Sequence, residues 1–289
     1  MRYEFIEQQR TQHGVRRMCQ LLEVSTAGYY EWRGRPQSRR ALTNEALRSG
    51  IARIHRESRN TYGRPRIHAE LSASGIHVNA KRVGRLMKAD GIKGIRRTHF
   101  RASNDSTDAQ IAENVLARCF SVEEIGKLDR VWAGDITFLR TREGWLYLAV
   151  VLDLASRRVI GWSMRNSADR RLPIDALKVA ISNRQPSRDI LFHSDRGSQY
   201  TSGELQGFLS SNNIRSSMSR PGQCWDNACV ESFFGSMKRE LGKATWHTRA
   251  EARAAIFEYI EIWYNRNRRH STLGYVSPEE FESLLPIAA

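Results

Sequence analysis

Three consecutive apolar runs, VWAGDITFL (131–139), WLYLAVVLD (145–153) and RVIGWSM (158–164), constrain this chain more than any other feature of it. They are rich in β-branched and aromatic residues, and turn signals at Arg142 to Gly144 and Ala155 to Arg157 separate them. Gaps that short join antiparallel neighbours, so the spacing predicts three antiparallel strands. Beyond them, ADRRLPIDALKVAIS (168–182) reads as a helix, DILFHSD (189–195) as a buried strand, SGELQGFLSSN (202–212) as a helix and IRSSMS (214–219) as a short strand. Strand, helix and strand in that order make a parallel crossover. The expected domain is α/β, a mixed sheet with helices packed on it.

Charge divides the 289 residues unevenly. Residues 1–110 carry 22 Lys and Arg against 10 Asp and Glu, a net +12, and the remainder carries 24 against 21, a net +3. A basic half joined to a nearly balanced half with strand signals reads as a nucleic-acid-binding region attached to a globular domain. In VRRMCQLLEVSTAGYYEWRGRP (15–36), Val15, Met18, Leu21 and Leu22 fall at helical spacing and Ser25 with Thr26 can cap a second short helix. This is a helix-turn-helix pattern whose second helix would present Thr26, Tyr29, Tyr30 and Arg33 to a DNA groove. Further helices are predicted over 42–58, 65–72 and 79–89. The last is capped by Asn79, with Lys81, Arg82, Arg85 and Lys88 along one side and Val83, Leu86 and Met87 facing inward.

These readings divide the chain into a helix-turn-helix segment (1–40), a second helix-turn-helix-like unit (41–95), a linker (96–125, most evident in the polar RRTHFRASNDSTDAQ of 96–110), a catalytic core (126–245) and a helical extension (246–289). The longest apolar run, Trp145 to Leu152, is far short of the roughly 20 residues that span a bilayer, and the first residues form no apolar signal segment. No membrane partner is expected, and the location expected is the cytoplasm, with the nucleoid when bound to DNA. Cys19, Cys119, Cys224 and Cys229 suggest no disulfide framework, and His55, His68 and His77 lack a matching cysteine pair, which makes them surface or packing residues.

Three acidic residues stand out in the balanced half. Asp135 interrupts the middle of an apolar strand, Asp195 ends a buried one in HSDRGSQY, and Glu231 lies in the helical stretch DNACVESFFGSMKREL. A carboxylate is costly to bury unless paired or metal-bound. Each has a structural explanation alone; together they offer the oxygen ligands that a divalent metal pair requires. Asn227, Glu231 and Lys238 share one helix face, so a metal ligand and a phosphate-binding cation sit together. His193 reads either as a hydrogen-bonded core residue or as a group acting near that site, and Asn227 either orients Glu231 or a phosphate, or caps its helix. Asp153 is read as a turn residue, Trp145, Trp162 and Trp225 as core aromatics, and Thr248 to Asn267 as a packing helix. Beyond that helix, Arg266, Arg268, Arg269 and His270 form a cluster able to meet phosphate.

The words GDITFL, HSDRGSQYTS and DNACVESFFGSMKRE, with 35 residues between Asp195 and Glu231, resemble the DDE catalytic core of retroviral-integrase-like transposases. With TYGRPRIHAEL (61–71), MCQLLEVSTAGYYEWR and YNRNRRHSTLGYVSPEEF, the chain more narrowly resembles the OrfB-type transposases of bacterial insertion sequences. The resemblance implies a ribonuclease H-like fold with a five-stranded mixed sheet and flanking helices, preceded by an all-α helix-turn-helix region. It implies that Asp135, Asp195 and Glu231 are catalytic metal ligands and that Lys238 matches a basic residue two helical turns on, a DNA contact. The family further implies terminal inverted repeats and target DNA as partners, a homo-oligomer in the synaptic complex, and fusion or association with an upstream-frame OrfA-type protein. No His and Cys zinc module of the retroviral kind precedes the core, so zinc is not expected.

In-line displacement at a phosphodiester needs charge neutralisation and an activated nucleophile, which two divalent ions about 4 Å apart can provide. Acidic ligands suit Mg²⁺, with Mn²⁺ able to substitute. The activity expected is DNA cleavage followed by strand transfer at element ends. The alternatives are a metal-dependent nuclease on the same fold and a non-catalytic DNA-binding regulator.

Overall fold

The computed structural model describes residues 1–95, 111–186, 190–220, 223–242 and 245–285, with the side chains of Cys224 and Trp225 also left outside the description. The 96–110 part of the expected linker lies outside the described residues.

Three short helices, α1 (Arg2–Gln9), α2 (Val15–Leu21) and α3 (Thr26–Gly34), form the first unit around Ile6, Met18, Cys19 and Tyr29. Ser25 caps α3 by accepting from the Gly28 amide, as its sequence position implies. Helix α1, mostly polar and with Ile6 as its one buried residue, carries too weak a period to be read beforehand. The second unit packs α4 (Arg39–Glu57), α5 (Arg64–Ala73) and α6 (Ala80–Ala89) around Ile51, Tyr62, Ile67, Leu71 and Val83. Asn79 caps α6, and Val83, Leu86 and Met87 are buried as the pattern requires.

After the short α7 (Val122–Ile125), strands β1 (Val131–Thr141), β2 (Gly144–Asp153) and β3 (Val159–Arg165) form the antiparallel meander. Helix α8 (Arg171–Arg184), strand β4 (Ile190–Ser194), helix α9 (Gly203–Ser211) and strand β5 (Ile214–Met218) follow. The sheet order is β3-β2-β1-β4-β5, with β4 parallel to both β1 and β5. This is the expected five-stranded mixed sheet, and strand order is what no sequence pattern supplies.

Each sheet face has its own core. Trp132, Val151, Phe192 and Leu177 meet α8 and α9 on one side; Ala133, Leu148 and Leu152 meet α10 (Ala228–Glu240) and α11 (Arg249–Phe257) on the other. Gly161 lets α8 lie against β3, because a Cβ there would strike the Ala176 carbonyl and come within 2.6 Å of the Ala180 amide nitrogen. From α11 the chain continues as π-helical turns (Glu258–Tyr264) and ends in α12 (Pro278–Leu284). Ile256, Tyr259, Ile260 and Tyr264 are buried, confirming a packing helix. That helix also holds the second N-terminal unit: Arg59 pairs with Glu258 at 2.5 Å, Arg269 with Glu70 at 2.7 Å, and Tyr62 packs against Trp263. Among the described residues, no helix is long and apolar enough to cross a membrane.

Candidate active site

Strand β1 pairs with β4 through Val131 with Leu191, Trp132 with Phe192 and Ala133 with His193. Continuing that register sets Asp195 beside Asp135, on strands that lie about 4.8 Å apart. Alternation decides their direction. Ala133 and Leu191 point into the core beneath α10, so Asp135 and Asp195, in phase with them, project toward the same helix. Glu231 lies in the first turn of α10. The start of that helix is tied to β1 by Asn227, whose side-chain amide donates to the Gly134 carbonyl at 3.2 Å. Glycine is required at 134 because a Cβ would stand 2.5 Å from the Phe192 ring.

The carboxylates feel one another. Asp135 is held well above the usual carboxylate range, first by burial, then by the charge of Asp195, with Glu231 adding to it and Lys238 opposing. Asp195 is raised by burial, and Glu231 by burial and by Asp195. Lys238 is lowered by burial while Asp135 pulls it back toward its charged form. Tyr200, fully buried behind the site, is pushed far up by burial and then by both aspartates, which keeps it a neutral hydroxyl. Each aspartate is seated by a backbone N–H: Ile136 donates to Asp135 Oδ1 at 2.7 Å and Gly197 to Asp195 Oδ1 at 2.9 Å. Glu231 is exposed.

Among the described residues, no three His, Cys, Asp or Glu side chains are closed into a metal-holding group. The donor set nevertheless suits hard divalent ions, being all carboxylate oxygen. A buried Oδ1 of Asn227 beside it has no hydrogen-bond partner among the described atoms. Lys238 lies on the Glu231 side of α10, its Nζ 5.4 Å from the centre of the exposed Phe138 ring.

His193 is a core residue here: its ring nitrogens lie 3.0 and 3.2 Å from the Ser217 and Ser219 hydroxyls, and burial lowers it to about 4, against the pull of Asp226. Asp153 is a turn residue as read, accepting from the amides of Asp129, Ala155 and Ser156. Several expectations need correction. Tyr29 is buried and donates to Glu7, so it cannot face a groove; an aromatic at the inward position of a short helix is needed to fill so small a core. Trp145 is 44 % exposed and stacks edge-on against Phe138, outside either sheet core. Arg268 is buried in an ion pair with Glu240 at 2.8 Å, and His270 is buried and kept neutral, so neither is a surface phosphate contact. Arg269 is taken by Glu70 and the Tyr275 carbonyl, while Arg266 stays exposed near Glu279. Trp162 packs partly on the core and donates to Glu261.

The remaining candidate DNA contacts sit on solvent-facing helices. Tyr30 is exposed, Arg33 lies 3.6 Å from Glu7, and Lys81, Arg85 and Lys88 line the outer side of α6. Arg82 turns away from that side and donates to Asn44. His55 and His68 bond backbone carbonyls as packing residues.

Sequence reasoning missed one feature of the site. Asp226, fully buried just before α10, accepts from Asn114, Arg118 and Arg220. Burial alone would raise it, but Arg220 and Arg118 hold it well below the usual carboxylate range. Its partners lie up to 112 residues away, and no local pattern announces them. With Leu116 in the core, this network packs residues 114–118 against the catalytic domain.

Comparison with known proteins assigns the domains to families. The integrase core domain family matches residues 127–224 and again 212–278, and an HTH-like domain matches 42–100. Fold and family matches together define a DDE-type polynucleotidyl transferase behind a helix-turn-helix-like domain. Transposase InsF for insertion sequence IS3A of Escherichia coli (strain K12) is 41% identical over 287 residues, covering 98% of this chain and 99% of the relative. The insertion element IS600 uncharacterized 31 kDa protein of Shigella sonnei is 38% identical over 266 residues, covering 91% and 97%. The chain belongs to the IS3-type transposases of the DDE superfamily. Among solved structures, a simian T-cell lymphotropic virus intasome in complex with PP2A regulatory subunit B56 gamma has 17% identity and TM-score 0.47 over 83% of this chain and 76% of that one. The HTLV-2 integrase catalytic core domain in complex with magnesium has 21% identity and TM-score 0.41 over 53% and 95%.

Proposed function

We propose that this transposase cleaves DNA at the ends of its own insertion sequence and transfers the freed 3′ ends by two-metal, in-line phosphoryl transfer. The observation that carries the reading is the electrostatic coupling of Asp135, within β1, and Asp195, just past the neighbouring end of β4, with Glu231 and Lys238 on one face of α10. Asp135, Asp195 and Glu231 would hold two Mg²⁺ ions, with Mn²⁺ able to substitute. When bound, such ions activate a nucleophile and offset charge on the leaving oxygen.

The chain's own residues do the positioning. Ile136 and Gly197 amides hold one oxygen of each aspartate, leaving its second oxygen for ligation. Asn227 fixes the start of α10 against β1 and so sets the height of Glu231 over the two aspartates. Lys238 contacts a DNA phosphate beside the reacting group, and its attraction to Asp135 keeps its ammonium directed there. Lys81, Arg85 and Lys88 of the HTH-like unit, with Tyr30 and Arg33 of the first unit, engage the terminal repeats. The acting assembly is a homo-oligomer that holds two ends together, fused to or associated with the product of the upstream frame.

The test incubates purified protein and Mg²⁺ with labelled duplexes ending in the element's terminal repeats. Joined products support the reading. Cut but unjoined products support a nuclease, and retarded but intact DNA supports a regulator.

A further inference from the structure

Helix α10 has a second polar side. Cys229, Ser232 and Ser236 lie on it, Cys229 about 200° around the helix from Glu231, and they line a cavity of about 270 Å³ closed by Arg66, Arg157, Arg268 and His270. Thr272 and Ser271 form its rim and are exposed. The cavity joins three parts of the chain: Arg66 comes from the HTH-like unit, Arg157 from the turn after β2, and Arg268 and His270 from the C-terminal extension.

Among the described residues, its lining contains three guanidinium groups and no carboxylate. Glu240 neutralises Arg268 from behind, at 2.8 Å. Arg66 donates to the Arg269 carbonyl and stacks on Tyr62, and Arg157, 8% exposed, donates to the Phe120 carbonyl and to Cys229 Sγ, two partners without formal charge. The His270 imidazole is held far below its usual range by burial and then by Arg268, Arg66 and Arg157, so the three cations act on one point. A buried guanidinium held by neutral groups, as Arg157 is, is costly until an anion meets it. Guanidinium forks with nearby hydroxyls are the donors that tetrahedral oxyanions accept best. The volume equals about nine waters, room enough for a phosphate group.

We infer that this cavity is a phosphate-binding site on the side of α10 away from the carboxylates, taking either a backbone phosphate of bound DNA or a free phosphate ion. The first source rests on the DNA reading above; the second does not. Because its walls come from the HTH-like unit, the core and the extension, occupancy would clamp all three around the helix that carries Glu231.

The experiment is thermal unfolding of the full chain with inorganic phosphate replacing chloride at constant ionic strength. A bound anion stabilises the folded state by mass action, so Tm should rise with phosphate and saturate. Thr272→Glu, which sets a carboxylate on the exposed rim, should abolish that rise while leaving the Tm in chloride unchanged; Ser271→Glu serves if it does not. Lys88→Glu, on α6, should keep the rise. Equal Tm in phosphate and chloride, or an undiminished rise in both rim variants, overturns the inference. Duplex titration separates the two sources. If DNA supplies the phosphate, the rim variant weakens duplex binding and saturating duplex erases the phosphate response. If free phosphate is the occupant, duplex affinity is unchanged in the variant and the response survives on the complex.

Discussion

Asp135 and Asp195 are half-buried and bear on each other's charge, whereas Lys81, Arg85 and Lys88 of α6 stand in solvent along one helix face. The acidic pocket is built from elements far apart in the chain, the interior of one strand, the end of another and a helix start, and its carboxyls are pushed up by burial and by one another. The basic face is built from one stretch of ten residues whose outward charges follow from helical spacing alone. A few concentrated anions suit chemistry at one phosphodiester; many dispersed cations suit attachment along a polyanion. Damage to the first should remove turnover and spare binding, and damage to the second should do the reverse.

The largest effect is expected at the acidic pocket. Asp135→Asn or Glu231→Gln forfeits several kcal/mol of transition-state stabilisation, lowering cleavage by at least about a thousandfold, while duplex affinity in a retardation assay stays within about threefold. Loss of binding in both variants, with the fold intact, would break the division of labour. Next comes Arg268→Ala, which strands Glu240 in the interior beneath Tyr259 and Trp263. Denaturant unfolding should show a loss of about 3–5 kcal/mol, as for other broken buried pairs; a loss below about 1 kcal/mol would return Arg268 to the surface class.

Smaller effects sharpen the same contrast. Asn227→Ala frees the start of α10 from Gly134 and should slow cleavage by about tenfold, with binding unchanged if its role is to hold the helix that carries Glu231. Asp153 is a buried carboxyl pushed up to about 6, mainly by burial. Between about pH 4 and 6 the folded chain keeps a proton that the unfolded chain has released, so stability falls as pH rises through that window. Thermal unfolding of Asp153→Asn across those pH values should show a flatter dependence than the parent. The smallest change is expected from Lys88→Ala on α6. It should weaken duplexes of any sequence alike and reduce the salt slope by about 0.9, the value of one phosphate contact.

Much of the fold was legible because its signals are local. The β1 to β3 meander, the β4-α9-β5 crossover and the Asn79 cap each follow from periodicity and turn chemistry within a dozen residues. The candidate carboxylates were legible for a different reason: a charge inside an apolar strand, as at Asp135, conflicts with its surroundings. What stayed hidden depends on distant partners. Arg268 reads as a surface cation until Glu240, 28 residues away, is seen to neutralise it. The Asp226 network draws on Arg118 from 108 residues away. Tyr29 shows the limit of helical spacing alone, since the same period fits a groove-facing aromatic and a core-filling one.

The central claim is that Asp135, Asp195 and Glu231 hold divalent ions together. Anomalous diffraction from crystals of the full chain soaked in Mn²⁺ tests it most directly. Manganese peaks are expected within ligand distance of the Asp135 and Asp195 carboxylates, with Glu231 turned inward to complete the set. Crystals saturated with Mn²⁺ that show no peak there, or show the ion held by other residues, would contradict it.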